Sequence, residues 1–290
     1  MQSRSLRIGL EDGRVLHART WGDADRQEKP VCLLIHGVAE SSHTWDLFAP
    51  TLTDAWCPVA VDLPGHGESS WHPECNYGVA AFAHDIAAML QRLRVNSVAL
   101  LGHSLGGQVA IELTAWQDIH ALGLLLVESA PEVPADAVTH LREAYSQSLR
   151  SYTSVAEFEA EMCAARPWTE PDVIREFAAH ALRQQDCGWK VRSDPRLLDG
   201  IDIGTPLVAR RLWDLLSRVE CPVRLVRGAT SGFVSLSLAQ RVTETARAQT
   251  PLQVAAAGHG VMLDNPSRFA EVAHDFLSHL AQQSLVEHHI

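Results

Sequence analysis

The segment Val98–Leu113, VALLGHSLGGQVAIEL, joins a fully apolar, strand-like run to a helix-like run through a single serine with a glycine two residues away on either side. A chain that leaves a buried strand and enters a helix within a residue or two must turn sharply. Gly102 and Gly106 remove the Cβ atoms that would clash as the two elements approach. Ser104 is then held out at the carboxyl edge of a sheet, and the helix N-terminus sets backbone N–H groups and a positive dipole end beside its hydroxyl. A bare G-x-S-x-G arises by chance in about one chain in ten of this length, so the flanking elements carry the weight. A second signal is independent of the first: in LLIHGVAESSHTW, His36-Gly37 ends another apolar run. Gly37 lets the backbone turn so that the Val38 N–H points into the same crevice as the Leu105 N–H, and two donors aimed at one point make an oxyanion hole.

The rest of the chain supplies a frame for that corner. Ser5–Gly9 and Arg14–Thr20 flank Asp12-Gly13, a hairpin signal that predicts two antiparallel strands. Short apolar runs then alternate with helix-period segments: VCLLIHG, CPVAVD, VALLGHS, ALGLLLVES, CPVRLVRG and LQVAAAGHG. Runs apolar on both faces belong to parallel strands covered by helices, and the alternation is that of an α/β fold. Phe82, Ile86, Met89 and Leu93 mark one helix face, as do Phe269, Val272, Phe276 and Leu280. From Pro131 to about Leu216 the pattern changes to helical stretches, AVTHLREAYSQSL, SVAEFEAEMCAA and PDVIREFAAHALRQQ, with no strand expected. Residues 1–130 and 217–290 therefore read as one core, and 131–216 as a helical insertion.

Charge narrows the partners. With 24 Lys and Arg against 35 Asp and Glu the formal charge is −11, which opposes a phosphate backbone or an anionic membrane, so neither nucleic acid nor membrane is an expected partner. No apolar run approaches the roughly 20 residues that span a bilayer, and a cytoplasmic location is expected. The cysteines, Cys32, Cys57, Cys75, Cys163, Cys187 and Cys221, are dispersed without a CxxC pair and read as free thiols. No pair of histidines shows metal-ligand spacing with a matching carboxylate, so neither a metal nor a cofactor is expected.

Taken in order, His36-Gly37, the DLPGHGES segment from Asp62 to Ser69, GHSLGG and AGHGVMLDNP make the sequence resemble the α/β-hydrolase family. The resemblance implies a mostly parallel, largely eight-stranded sheet covered by helices, with the insertion as an α-helical cap. It implies Ser104 as nucleophile, His259 as general base, the Val38 and Leu105 N–H groups as oxyanion donors, and structural roles for His36, His103, Asp62 and His66. The family's commonest acid position lies just beyond the strand before the histidine, where this chain has ATSGFVS and no carboxylate. Some members carry the acid after the strand that follows the nucleophile helix. Glu128 stands at that corner, ahead of Asp199 and Asp214; otherwise Glu128 tethers a loop and His259 works with a backbone carbonyl or a water. The chemistry implied is hydrolysis of a small-molecule ester, thioester or lactone through an acyl-enzyme. C–C bond hydrolysis, a cofactor-free lyase reaction or a non-catalytic ligand-binding homologue are the alternatives. In the insertion Trp168, Trp189 and Trp213 offer aromatic surface for an acyl or aryl group.

Overall fold

The first two strands, β1 (Arg4–Gly9) and β2 (Val15–Thr20), pair antiparallel around Gly13, whose φ of +86° suits the tight reversal. The computed structural model describes residues 2–22, 29–186 and 188–287, so Cys187 lies outside the described residues. Next come β3 (Val31–Ile35), β4 (Cys57–Val61), helix α1 (Val79–Arg92), β5 (Ser97–His103), α2 (Leu105–Leu113) and β6 (His120–Val127). After β6 the chain forms α3 (Ala135–Ser148), α4 (Val155–Ala165), α5 (Pro171–Ala181), β7 (Leu182–Gln185), β8 (Gly188–Val191), α6 (Leu197–Gly200) and α7 (Pro206–Ser217). It then returns to the sheet with β9 (Val223–Gly228), α8 (Leu236–Thr245), β10 (Leu252–Val254), α9 (Val261–Asp264) and α10 (Pro266–Glu287).

Eight strands form one sheet in the order β1-β2-β4-β3-β5-β6-β9-β10, parallel from β4 onward. Alternate residues of the parallel strands feed two apolar layers. Leu33, Ile35 and Leu100 pack with Phe82, Ile86 and Met89 of α1 and with Val109 of α2. Cys32, Leu34 and Leu101 pack on the opposite face with Phe269, Val272, Phe276 and Leu280 of α10. Both helix faces expected from the sequence are therefore core faces. From β3 the chain steps outward to β4 and returns across β3 to β5, and this reversal opens a crevice at the carboxyl edge between neighbouring strands.

Between β6 and β9 the structure corrects one expectation. Residues 131–216 are mostly helical, but β7 and β8 form an antiparallel hairpin, and the helix read through PDVIREFAAHALRQQ ends at Ala181. LRQQ and GWKV hide the hairpin because they are half-exposed and polar, with neither alternation nor a continuous apolar run. LQVAAAGHG likewise yields only the three-residue β10.

Polar ties anchor this segment to the rest. Buried Asp194 accepts from the Tyr77 hydroxyl at 2.6 Å, its N–H donates to the Gly65 carbonyl at 2.8 Å, and its carbonyl accepts from Tyr145 at 2.5 Å. Asp202 Oδ1 accepts the first N–H of α1, from Val79, at 2.9 Å, which caps a helix whose own Gly78 has no side chain to do so. No helix of the described residues is long and apolar enough to cross a membrane.

Candidate active site

Ser104 has φ 52° and ψ −119°, conformational space that a non-glycine residue occupies only under constraint. The constraint comes from the packing of β5, α2 and β3. A methyl at Gly102 would overlap the Gly106 backbone, and one at Gly106 would overlap the carbonyl oxygens of Ile35 and His36. Gly106→Ala is accordingly expected to destabilise the protein by about 3 kcal/mol through overpacking against backbone, measured by urea denaturation. Ser104 N–H donates to Val127 at 3.0 Å and the Ser104 carbonyl accepts from Ser129 at 2.6 Å, so the elbow is also tied to the end of β6.

The turn after β3 lies against this elbow. A Cβ built on Gly37 would stand 3.2 Å from Ser104 Cβ and 2.9 Å from His103 Nδ1. Among the described residues neither the Val38 N–H nor the Leu105 N–H is claimed by a protein acceptor. His36 supports the turn as a neutral ring, as burial disfavours its charged form: Nδ1 donates to the Gly37 carbonyl at 2.7 Å and Nε2 accepts the Leu63 N–H at 3.0 Å.

Beneath the elbow lies a buried ion pair that the sequence reading did not single out. Glu40 Oε2 accepts from the Gly37 N–H at 3.0 Å, the Thr44 hydroxyl at 3.2 Å and His103 Nδ1 at 3.0 Å. His103 Nε2 lies 2.9 Å from the His259 carbonyl. Since a carboxylate and a carbonyl both accept, both ring nitrogens of His103 carry protons, and the ring is an imidazolium. Burial opposes that charge, but Glu40 outweighs it and raises the His103 pKa; burial likewise opposes the Glu40 charge, and His103 pulls that pKa far down. The pair cross-links the β3 turn, the elbow and the loop that carries His259.

His259 and Glu128 meet from β10 and β6. Glu128, at φ 49°, is fully buried; its Oε1 accepts the Gly228 N–H at 2.6 Å. Its Oε2 takes the Ser231 hydroxyl at 2.6 Å and His259 Nδ1 at 3.2 Å. A carboxylate at Nδ1 holds the proton there and leaves the Nε2 lone pair free to accept. Burial lowers the His259 pKa below its ordinary value, against the opposing pull of Glu128. The Phe233 ring stacks on the imidazole at 3.9 Å and 19°. No hydrogen bond joins the Ser104 hydroxyl to the His259 ring among the described residues. A cleft of about 10 Å³ beside Ser104 is lined by Gln108, Glu128, Ala130, Val133 and Phe233.

Of the rival carboxylates, Asp214 pairs with Arg218 on the exposed side of α7 and Asp199 sits on α6; the structure brings neither to His259. The tryptophans separate. Trp168 lies against Gly258, next to His259, and the adjacent Thr169 hydroxyl donates to Asp264, which also accepts the Gly258 N–H at 2.8 Å. Trp213 donates to Glu132 at 2.8 Å under the Arg241 guanidinium, near the rim of the cleft. Trp189 belongs to a separate cluster with Tyr152, Phe158 and Leu182.

One group of side chains of metal-ligating type also escaped the sequence reading, because His180 lies far along the chain from His43 and Asp46. His43, Asp46 and His180 bring ligand atoms within 4.8 Å of one another. Asp46 already accepts from Arg19 and from His43 Nδ1, the latter at 2.7 Å, and the two imidazoles stack at 3.7 Å with planes 6° apart, so their lone pairs do not converge on one point.

The model of the alpha/beta hydrolase family matches residues 32–272. The chain belongs to that family. An esterase of Mycobacterium tuberculosis is 30% identical over 272 residues, which span 90% of this chain and 86% of the esterase. A crystal structure of an esterase from the same organism superposes on this α/β hydrolase with a TM-score of 0.74 at 28% identity, covering 96% of this chain and 92% of the other. The crystal structure of E-2-(acetamidomethylene)succinate hydrolase gives a TM-score of 0.84 at 23% identity over 96% of this chain and 100% of that one, a likeness of fold alone. This chain is thus a hydrolase of the α/β family. Ser231 and Phe233, which contact Glu128 and His259 in this hydrolase, carried no signal in the sequence beyond their place in the segment that lacks the usual acid.

Proposed function

We propose that this α/β hydrolase cleaves an ester, thioester or lactone through an acyl-enzyme on Ser104. His259 serves as general base and acid, Glu128 as the acid that orients it, and the Val38 and Leu105 N–H groups as oxyanion donors. The observation that carries this reading is the contact of buried Glu128 with His259 Nδ1, beside a serine held at positive φ. In the reaction His259 Nε2 takes the Ser104 proton as Oγ attacks the carbonyl carbon. The tetrahedral oxyanion forms between the two N–H groups, and its collapse expels the alcohol or thiol, which takes the proton from His259. Water then repeats the sequence and releases the acid and Ser104.

The proposed division assigns residues 1–130 and 217–290 to the catalytic core and 131–216 to a cap that sets specificity, with Trp168 as an aromatic wall beside Gly258. The esterase relative supports the ester reading by its name. Turnover of a panel of p-nitrophenyl esters, acyl-CoAs, lactones and ring-fission diketones by purified protein tests it; cleavage confined to C–C bonds would replace it.

The pH dependence follows from His259. Its lowered pKa means that the neutral base persists to below the ordinary imidazole value of about 6.5. kcat/KM for a p-nitrophenyl ester is therefore expected to rise on an acid limb centred below 6.5 and to be level by about pH 7. A limb centred above 7 in a step limited by chemistry would contradict this assignment of the base.

A further inference from the structure

The corner after β9 lacks a carboxylate, yet its polar wiring is complete. Ser231 Oγ donates to Glu128 Oε2 at 2.6 Å, the same oxygen that faces His259 Nδ1. That Oγ also accepts the Phe233 N–H at 3.1 Å and the Val234 N–H at 2.9 Å. These two bonds form a side-chain-capped turn that folds the segment back, so that Phe233 covers the imidazole. Buried Arg227 fixes the far side of the turn by donating to the Val234 carbonyl at 2.9 Å. Gly232 faces open space, with nothing within 4 Å of a Cβ built there, so position 231 is the one in this turn that addresses the acid.

We infer that Ser231 is a positioning residue for the Glu128–His259 pair. The inference rests on the triad reading above. Its physical basis is the sharing of one oxygen. By donating to Oε2, the Ser231 hydroxyl fixes the carboxylate rotamer and draws off part of the charge that His259 would otherwise see. The other charged groups around His259 are the His103–Glu40 pair and, beside the adjoining Gly260, Arg166 and Asp264. All of them stay in place in these variants.

Hydrolysis of p-nitrophenyl acetate by the full chain tests the inference. Ser231→Ala is expected to lower kcat about tenfold and to move the acid limb of kcat/KM up by about 0.5 pH unit, since the freed carboxylate pulls harder on the imidazolium. Ser231→Thr, which keeps the hydroxyl, is expected to restore the wild-type limb. A purely structural turn predicts loss of stability or rate with the limb unmoved. A Ser231→Ala limb identical to wild type overturns the proposal, as does a Ser231→Thr limb that moves as far as that of Ser231→Ala. Ser104→Ala, run alongside, separates the two levels: turnover retained there removes the triad itself, whereas its loss with an unmoved Ser231→Ala limb removes only this inference.

Discussion

Ser104→Ala is expected to lower kcat/KM for p-nitrophenyl esters by on the order of 10⁶-fold, the scale of a lost serine nucleophile. A fluorophosphonate is expected to add once per chain at Ser104 in the wild type and not at all in the variant, read by mass spectrometry of the intact protein. The fold should be indifferent to the change, because Oγ makes no hydrogen bond among the described residues, and the elbow is held by backbone contacts of Gly102, Gly106 and Val127. A loss of activity accompanied by a lowered melting temperature would therefore point to the elbow's strain rather than to chemistry. Labelling at another residue would overturn the assignment of Ser104.

The second large effect is at Glu128. Glu128→Gln is expected to reduce kcat on the order of 10⁴-fold, by analogy with the serine-protease Asp-to-Asn change, while KM stays within a few fold. The amide is the same shape and can still accept the Gly228 N–H, so the turn persists. If its nitrogen faces His259, the proton shifts to Nε2 and the lone pair needed by Ser104 is lost. Near-native kcat in Glu128→Gln would leave Glu128 as a tether of the 228–231 corner and nothing more.

The core was legible because its signals are short-range. β3, β4 and β5 are apolar on both faces, and nothing but a covered parallel strand suits VCLLI or CPVAV. The elbow was legible for the same reason: the two glycines report a steric demand that falls within five residues of chain. Glu128 required comparison of two corners, and the structure brings the one that carries a carboxylate to His259. What the sequence withheld depends on long-range placement. Glu40 and His103 are 63 residues apart, and Ser231 and Glu128 are 103 apart, so no window shows that they touch. The β7–β8 hairpin is legible in neither composition nor period, since half-exposed polar strands owe their pairing to the backbone.

The docking of Trp168 and Thr169 on the histidine loop has a kinetic consequence. Asp264 grips the Thr169 hydroxyl with one carboxylate oxygen and the Gly258 N–H with the other, one residue from His259. In the mechanism proposed above, this contact would gear substrate choice and proton transfer together through a single side chain. Variation at residues 166–169, where a specificity screen would begin, should register in turnover number as well as in apparent affinity, and Asp264 is the tooth that transmits it.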